Sequence, residues 1–498
     1  MKRIYRTIVI CSLRGGKLAG ITLAAALILS SLASSALAQY ASPEVAQKVK
    51  QYNVQTYIDW VNKYRDAKPE FKPGDVITQK DLEKIRPFVP PGYFEQMDFP
   101  EFKMEIIAKD MTPPEAYRKC TEKYGSQVKL APNGALQNYI CGQPFPLSDL
   151  KEGDPTAGIK TAWNYNFRNE NYGVRNLNAW GFMLPGGTHA GWVHEQPPAQ
   201  WFVSDIDRTG FCPPDIGSYW GGQGTMERLI EGIFQKFKYT HIADLGDSSG
   251  GVLPIPNAKD FEFKEWDAFF RPFDIRGTAF IQFRYDVANP QTADRNDDSW
   301  AYIPVLRRVR RISTEVKSDS LLGTEFTLDD YWGFNGRVVD WDWKFLGFKD
   351  VLGTQASKWD FAHYFGPIGT IPDDQWRLNR CAVVIRTPHN PRHSYSAAVM
   401  FIDTETWFCV IHFPFDRANK LYKTCQWQYR WSEDAAKNPN FTKDNAGTYA
   451  LDFAGVTGFN VQTDHATVIP GYAGGHPRLS LKDTESLFDI SNLENLHR

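Results

Sequence analysis

Leu421-Tyr422-Lys423-Thr424-Cys425-Gln426-Trp427-Gln428-Tyr429-Arg430-Trp431 decides the fold class. Leu421, Cys425, Trp427, Tyr429 and Trp431 alternate with Thr424, Gln426, Gln428 and Arg430. A period of two belongs to a strand, whose successive side chains point to opposite faces. The stretch 278–285 repeats the pattern, with Ala279, Ile281, Phe283 and Tyr285 on one face. Each strand therefore has one dry face. Further strands are expected at 299–303, 305–312, 337–348, 381–387, 396–403 and 407–413, separated by turn-forming clusters. Sequential strands with short links favour an antiparallel meander, because parallel strands need long crossovers.

The mature N-terminal third reads as helices and loops, and the text changes to strands from about Arg276. Val45, Val49, Val54, Tyr57, Ile58, Val61 and Tyr64 recur at helical spacing over 43–66. Thr78-x-x-Asp81 has the form of a capping box opening a second helix, which Pro87, Pro90 and Pro91 stop. Thr112-Pro113 reads as cap and first-turn proline of a third helix running toward Tyr124. The expected class is α+β and strand-rich, with an N-terminal helical segment.

The first residues carry Lys2, Arg3, Arg6, Arg14 and Lys17, then an apolar run over 18–32, then Ala36-Leu37-Ala38. These are the three regions of a secretory signal peptide, and the run is shorter than a membrane span requires. The expected divisions are a leader at 1–38, a helical and loop segment at 39–150, and a sheet domain at 151–498. The mature chain is expected in the periplasm, with no transmembrane segment and a mean hydropathy of −0.43 over the whole chain. Without the leader's five basic residues, 51 basic side chains face 58 acidic ones, a net charge of −7. No basic stripe offsets that excess, which argues against nucleic acid as a partner.

Six cysteines follow the leader, an even number suited to an oxidising compartment. Cys120 and Cys141 bracket a turn-rich segment and are expected to pair. Cys409 and Cys425 fall opposite each other if strands 407–413 and 421–427 pair symmetrically about residue 417, which predicts a second bridge. Cys212 and Cys381 stay unassigned. None of the six forms a C-x-x-C pair, so zinc has little support.

Gly246-Asp247-Ser248-Ser249-Gly250 matches G-x-S-x-G, but Val252-Leu253-Pro254-Ile255-Pro256 follows where a nucleophile elbow needs a helix. A turn is the better reading. His189 and His194, and His389 and His393, are pairs without a third ligand, and His389-Asn390-Pro391-Arg392-His393 reads as a loop. Gly221-Gly222-Gln223-Gly224-Thr225 lacks a phosphate-loop lysine and reads as a helix entry. No cofactor or metal is expected. In 305–312, a strand would put Arg308 and Arg310 on one face and Arg307 and Arg311 on the other. Such arginines pair with acids such as Asp297, Asp298, Asp329 and Asp330, or recognise an anionic head group.

The stretches DDSWAYIPVLRRVRRIST (297–314), LLGTEFTLDDYWGFNG (321–336), WDWKFLG (341–347) and HSYSAAVMFIDTETW (393–407) resemble a bacterial family called domain of unknown function 1329, related to the periplasmic lipoprotein carriers LolA and LolB. RGT (276–278), DLEKIRPFVPPGYFEQ (81–96), YICGQPFP (139–146) and DPTAGIKTAWNY (154–165) extend the likeness over nearly the whole mature chain. The resemblance implies a large curved antiparallel sheet, an incomplete barrel, with helices packed in its concave side around an apolar cavity. It also implies company with a resistance-nodulation-division-type transporter, and it supplies no catalytic residue. The four cysteines at 120, 141, 409 and 425 are not expected of the family.

The functional expectation is a non-enzymatic carrier or accessory protein for a hydrophobic small molecule or lipid. Aromatics make up 14% of the chain, with 16 Trp and 33 Phe, enough to wall a cavity. Candidate ligand contacts are Phe283, Tyr285, Trp300, Tyr302, Trp341, Trp343, Phe345, Trp427 and Trp431, with Arg308 and Arg310 for a head group. The N-terminal helices are expected to close the cavity against water. The alternatives are a periplasmic hydrolase built around Ser248 or the His189 and His194 pair, and a transporter adaptor that binds no ligand.

Overall fold

The computed structural model describes residues 40–170, 173–185, 225–313, 317–359, 362–431, 451–474 and 485–493. The leader, His189, His194 and Cys212 lie outside them. Among the described residues no helix is long and apolar enough to cross a membrane.

Among the described residues one open sheet of 15 strands organises the fold. From one end it runs Val76–Thr78, Lys103–Ile107, Gln375–Pro388, Ala397–Asp403, Cys409–Phe415, Lys423–Trp431, Leu451–Asn460 and His465–Gly474. It continues through Gly173–Leu184, Thr225–Lys238, Phe261–Arg271, Ala279–Tyr285 and Asp298–Ile303 to Arg308–Ile312, while Trp341–Gly353 pairs off the path with Gln375–Pro388. Neighbours are antiparallel, as expected, except Lys103–Ile107, which lies parallel to Gln375–Pro388.

Two short strands of the sheet, Val76–Thr78 and Lys103–Ile107, already lie in the segment read as helices and loops. The main run begins at Gly173, about a hundred residues before Arg276, and Thr225 starts a strand where a helix entry was expected. The period-two signal is weak there because the alternate positions are charged yet buried. Lys236, Lys238, Glu262, Glu265 and Asp267 are all buried. Glu170, for example, lies within 3.0–3.4 Å of Arg168, Lys236 and Lys238. Buried charges persist when paired, so polarity misreports which face is dry.

Two apolar clusters lie on opposite faces. The outer one holds Val383, Phe401, Phe413, Trp266, Ile281 and Phe283, and the inner one Val384, Met400, Trp343, Trp427, Phe234 and Phe269. The N-terminal segment covers part of the outer face. Ser42 caps Pro43–Lys50, accepting from the Val45 amide at 3.3 Å. The expected single helix over 43–66 is broken after it, because Asn53 and Thr56 form a capping box that starts Val54–Lys63 afresh. Tyr57 packs on Phe413 and Phe415, and Trp60 packs on Phe401. The expected box at Thr78 and Asp81 is present, opening a short helical run through Ile85. The third helix starts two residues late, at Glu115, because Thr112 turns back to bond Asp110 at 2.6 Å.

Cys120 and Cys141 are disulfide-bonded, with Cα atoms 5.5 Å apart. The bridge leans on Gly246, where a Cβ would sit 2.6 Å from Cys120 Sγ. The G-x-S-x-G string is thus a docking turn for the disulfide, and the exposed Ser248 hydroxyl donates to the Leu245 carbonyl at 3.4 Å. Replacing both cysteines with serine removes a crosslink across 21 residues. The expected loss is roughly 3 kcal/mol, to be read from urea midpoints; an unchanged midpoint would show that the packing around Gly246 holds the segment without the bond.

The second expected bridge is absent, since Cys409, Cys425 and Cys381 are buried free thiols. Strands Cys409–Phe415 and Lys423–Trp431 pair as Ile411 with Gln426 and His412 with Cys425. That register is centred between 418 and 419 rather than on 417. Extended outward, it sets Cys409 opposite Gln428, three residues from Cys425.

Candidate functional site: an aromatic cavity and a polar pocket

Helix Ala157–Asn166 and the segment 321–340 cover the inner face. Thr327 and Asp330 form a capping box there, with both the Thr327 amide and hydroxyl donating to Asp330 Oδ2 at 3.0 Å. Asp330 is fully buried, and its other partners come from the sheet below. Tyr395 donates to Oδ2 at 2.5 Å, while Arg386 Nη2 and His412 Nε2 stand 3.6 and 3.5 Å from Oδ1. Burial pushes the Asp330 carboxyl up, but His412, Lys423 and Arg386 outweigh it and hold it below the usual range. Glu325 makes a second tether, with Lys423 Nζ donating to its carbonyl at 2.6 Å and His465 Nδ1 2.7 Å from its carboxylate.

These tethers press aromatic side chains of the segment onto the sheet. Trp332 has φ 60° and the following Gly333 φ 98°, a left-handed turn that is unfavourable for tryptophan. Gly333 fits because a Cβ there would lie 2.6 Å from Cys409. The Trp332 ring stacks near Trp427 and Tyr429, 6.4 and 6.3 Å between centroids, and meets Phe453 edge-on at 5.5 Å. From the other side the Tyr165 hydroxyl accepts the Phe334 amide at 3.0 Å and lies 2.8 Å from the Trp332 carbonyl.

Between segment and sheet is a cavity of about 40 Å³. Its floor is Trp180, Phe234, Trp427, Phe453, Val456 and Ile469 from five strands, and its roof is Phe326, Tyr331 and Trp332.

A second pocket, about 350 Å³, is polar and includes Asp297, Lys317, Asp329, Arg337, His389 and His393 in its lining. Arg284 grips Asp297 through two hydrogen bonds, at 2.9 and 2.8 Å, and Lys317 binds the same carboxylate. His389 and His393 do lie in the loop between two strands. His393 Nδ1 accepts the Tyr395 amide at 2.9 Å, leaving Nε2 to carry the proton 3.4 Å from Asp329. With its lone pair engaged by a backbone amide, this imidazole is arranged to brace the loop, not to take a proton from a nucleophile. Among the described residues no group of His, Cys, Asp or Glu is placed to hold a metal ion.

Of the expected ligand residues, Trp427 lines the aromatic cavity. Trp341, Trp343, Phe345 and Trp431 share its face without lining it, and Trp341 walls the polar pocket instead. Phe283, Trp300 and Tyr302 pack with the outer cluster, and Tyr285 stacks on Phe261 at 5.1 Å while donating to Asp298. These four stand on the face opposite the cavity. Arg308 and Arg310 are exposed on the terminal strand, away from it. The N-terminal helices also cover the other face, so the expected closure falls to the 321–340 segment and helix Ala157–Asn166. Phe326, Tyr331 and Trp332 sit in the 321–336 stretch that carries the family likeness. Phe234 lies on a strand whose pattern is hidden by buried Glu231, Lys236 and Lys238, and Trp180 lies on a strand that the sequence reading did not anticipate.

Fold and site together define a class: an α+β protein with one large open sheet wrapped about an aromatic interior roofed by its own loop. The family model described as "Protein of unknown function (DUF1329)" matches residues 76–204 and 223–482, and the chain belongs to that family. No curated protein matches it. Among solved structures it is similar to a putative outer membrane lipoprotein-sorting protein domain from Vibrio parahaemolyticus, 17% identical, TM-score 0.39, covering 68% of this chain and 100% of that one. A DUF1329 family protein from Desulfovibrio piger is 15% identical, TM-score 0.40, with 68% and 98% covered. A LolA superfamily protein from Nitrosomonas europaea is 9% identical, TM-score 0.34, with 66% and 94% covered.

Proposed function

We propose that this protein is a periplasmic carrier or accessory protein that takes up a hydrophobic, lipid-like compound on the inner face of its sheet and works with a transporter of the resistance-nodulation-division type. The observation that carries this reading is the aromatic cavity beneath Trp332. Seven of its nine lining residues are aromatic, and such walls reward an apolar guest and offer little to a polar one. At about 40 Å³ the cavity holds little more than a water molecule or two. A guest must therefore lift or displace the roof, which hangs on a left-handed tryptophan and two sets of buried polar tethers. The transporter and the compartment rest on the family resemblance and the leader. The hydrolase reading is weaker at Ser248, whose hydroxyl is turned onto the Leu245 carbonyl; its other candidates, His189 and His194, lie outside the described residues.

Titration with a fluorescent apolar probe such as N-phenylnaphthylamine tests the reading. Saturable binding is expected, weakened about tenfold by Trp427→Ala through lost ring contact. Trp300→Ala, on the other face, is expected to leave it unchanged. Equal affinity in all three proteins would remove the cavity from the account, and failure to bind any apolar probe would favour a ligand-free adaptor.

A further inference from the structure

We infer that two neighbouring hairpin tips, 272–277 and 304–307, dock this protein onto an anionic phospholipid surface. Among the described residues six large hydrophobic side chains are exposed; three of them are on these tips, Phe273 at 91%, Val305 at 85% and Leu306 at 43%, and a fourth, Ile303 at 36%, ends the strand that enters the second tip. The tips are neighbours by register. Ala268 pairs with Ala279, Ala279 with Tyr302 and Tyr302 with Val309, so both turns leave the same end of the sheet. At roughly 5 Å per strand they lie about 10 Å apart.

The tips carry Arg276 and Arg307, and the strand leaving the second tip adds Arg308 and Arg310, all exposed. The acid among them, Asp274, is bound by Arg228 at 2.7 Å, and Arg311 is bound to Asp298. A basic patch on a chain with more acidic than basic residues is local, not a reflection of overall charge. Charged side chains on Arg308–Ile312 also protect a terminal strand from pairing with another sheet edge. That need accounts for arginines. It does not account for Phe273 and Val305, which such protection would keep out of water. Apolar tips ringed by arginine fit the interface of a bilayer, where rings and aliphatic groups enter the acyl boundary and guanidinium groups meet phosphate.

The inference is independent of the cavity, and its test uses no guest. The purified protein is sedimented with vesicles of phosphatidylglycerol and phosphatidylcholine, or of phosphatidylcholine alone. Binding is expected to the anionic vesicles, weakening as salt rises. Arg308→Ala and Arg310→Ala should each lower partitioning about fivefold, and Phe273→Ser with Val305→Ser at least tenfold, with unchanged thermal midpoints since all four positions are at the surface. No preference for anionic vesicles overturns the inference. So does loss of binding in the arginine variants but not in the Phe273 and Val305 variant, which would assign the patch to an anionic macromolecule.

Discussion

Replacing Asp330 with Ala is expected to lower folding stability by about 3–5 kcal/mol, the range for breaking a buried ion pair from one side. The carboxylate takes hydrogen bonds from Thr327 and Tyr395. It is also the acid facing Arg386, whose fully buried guanidinium otherwise lies over the rings of Phe334 and Trp341 at 4.8 and 4.9 Å. Without it, a cation stays buried with no counter-charge and the roof loses its cap. Asp330→Asn keeps much of the shape and should fall between wild type and Ala. The same carboxylate predicts a pH dependence. Its folded pKa lies below the ordinary value of about 3.9. Its contribution is therefore full above that value and is lost as pH falls through it toward the folded pKa. Asp297, gripped by Arg284 and Lys317, titrates in the same direction despite its burial. Urea midpoints at pH 7 and pH 3 check this: wild type should lose more stability than Asp330→Asn over that interval. Equal losses would place the acid sensitivity elsewhere.

Trp332→Ala is expected to do two opposite things. Deleting a buried indole that packs on Trp427, Tyr429, Phe453 and Phe234 should cost about 3–5 kcal/mol. It also removes the side chain that fills the space above the sheet, so the cavity grows and an apolar probe should bind more tightly. Trp332→Gly should be less destabilised than the Ala variant by about 1 kcal/mol, because glycine accepts φ 60° without strain. Thermal melts give the first effect and probe titration the second. If probe affinity falls in both variants, Trp332 is a wall of the binding site and not its stopper, and a guest enters without moving the roof.

The segment 321–336 shows how much of the site was legible. Its three acids, its Thr-x-x-Asp spacing and its aromatic residues stand in the text, and the stretch carries the family likeness. What it faces does not. Asp329 and Asp330 look like partners for the arginine run at 305–312, yet Asp330 faces Arg386 and His412, and the run lies at the surface. Cys409 and Cys425 teach the same lesson, since the turn between their strands is long enough to admit several registers, and a bridge needs one of them.

By itself the sequence determined the alternation of Cys425, Trp427, Tyr429 and Trp431, the strands from Ala279 onward, the capping box at Thr78, and the Cys120 and Cys141 bridge. All of these are local, set by a period of two, a hydroxyl three residues from its acceptor, or a short loop. Only the tertiary structure decided which face each strand turns to the aromatic cavity. Phe283 and Trp427 have the same pattern on their own strands and end on opposite sides, because parity within a strand says nothing about its pairing with the next. Tertiary structure likewise placed Trp332 over the sheet and left Phe273 and Val305 in water, since burial depends on what packs above a residue.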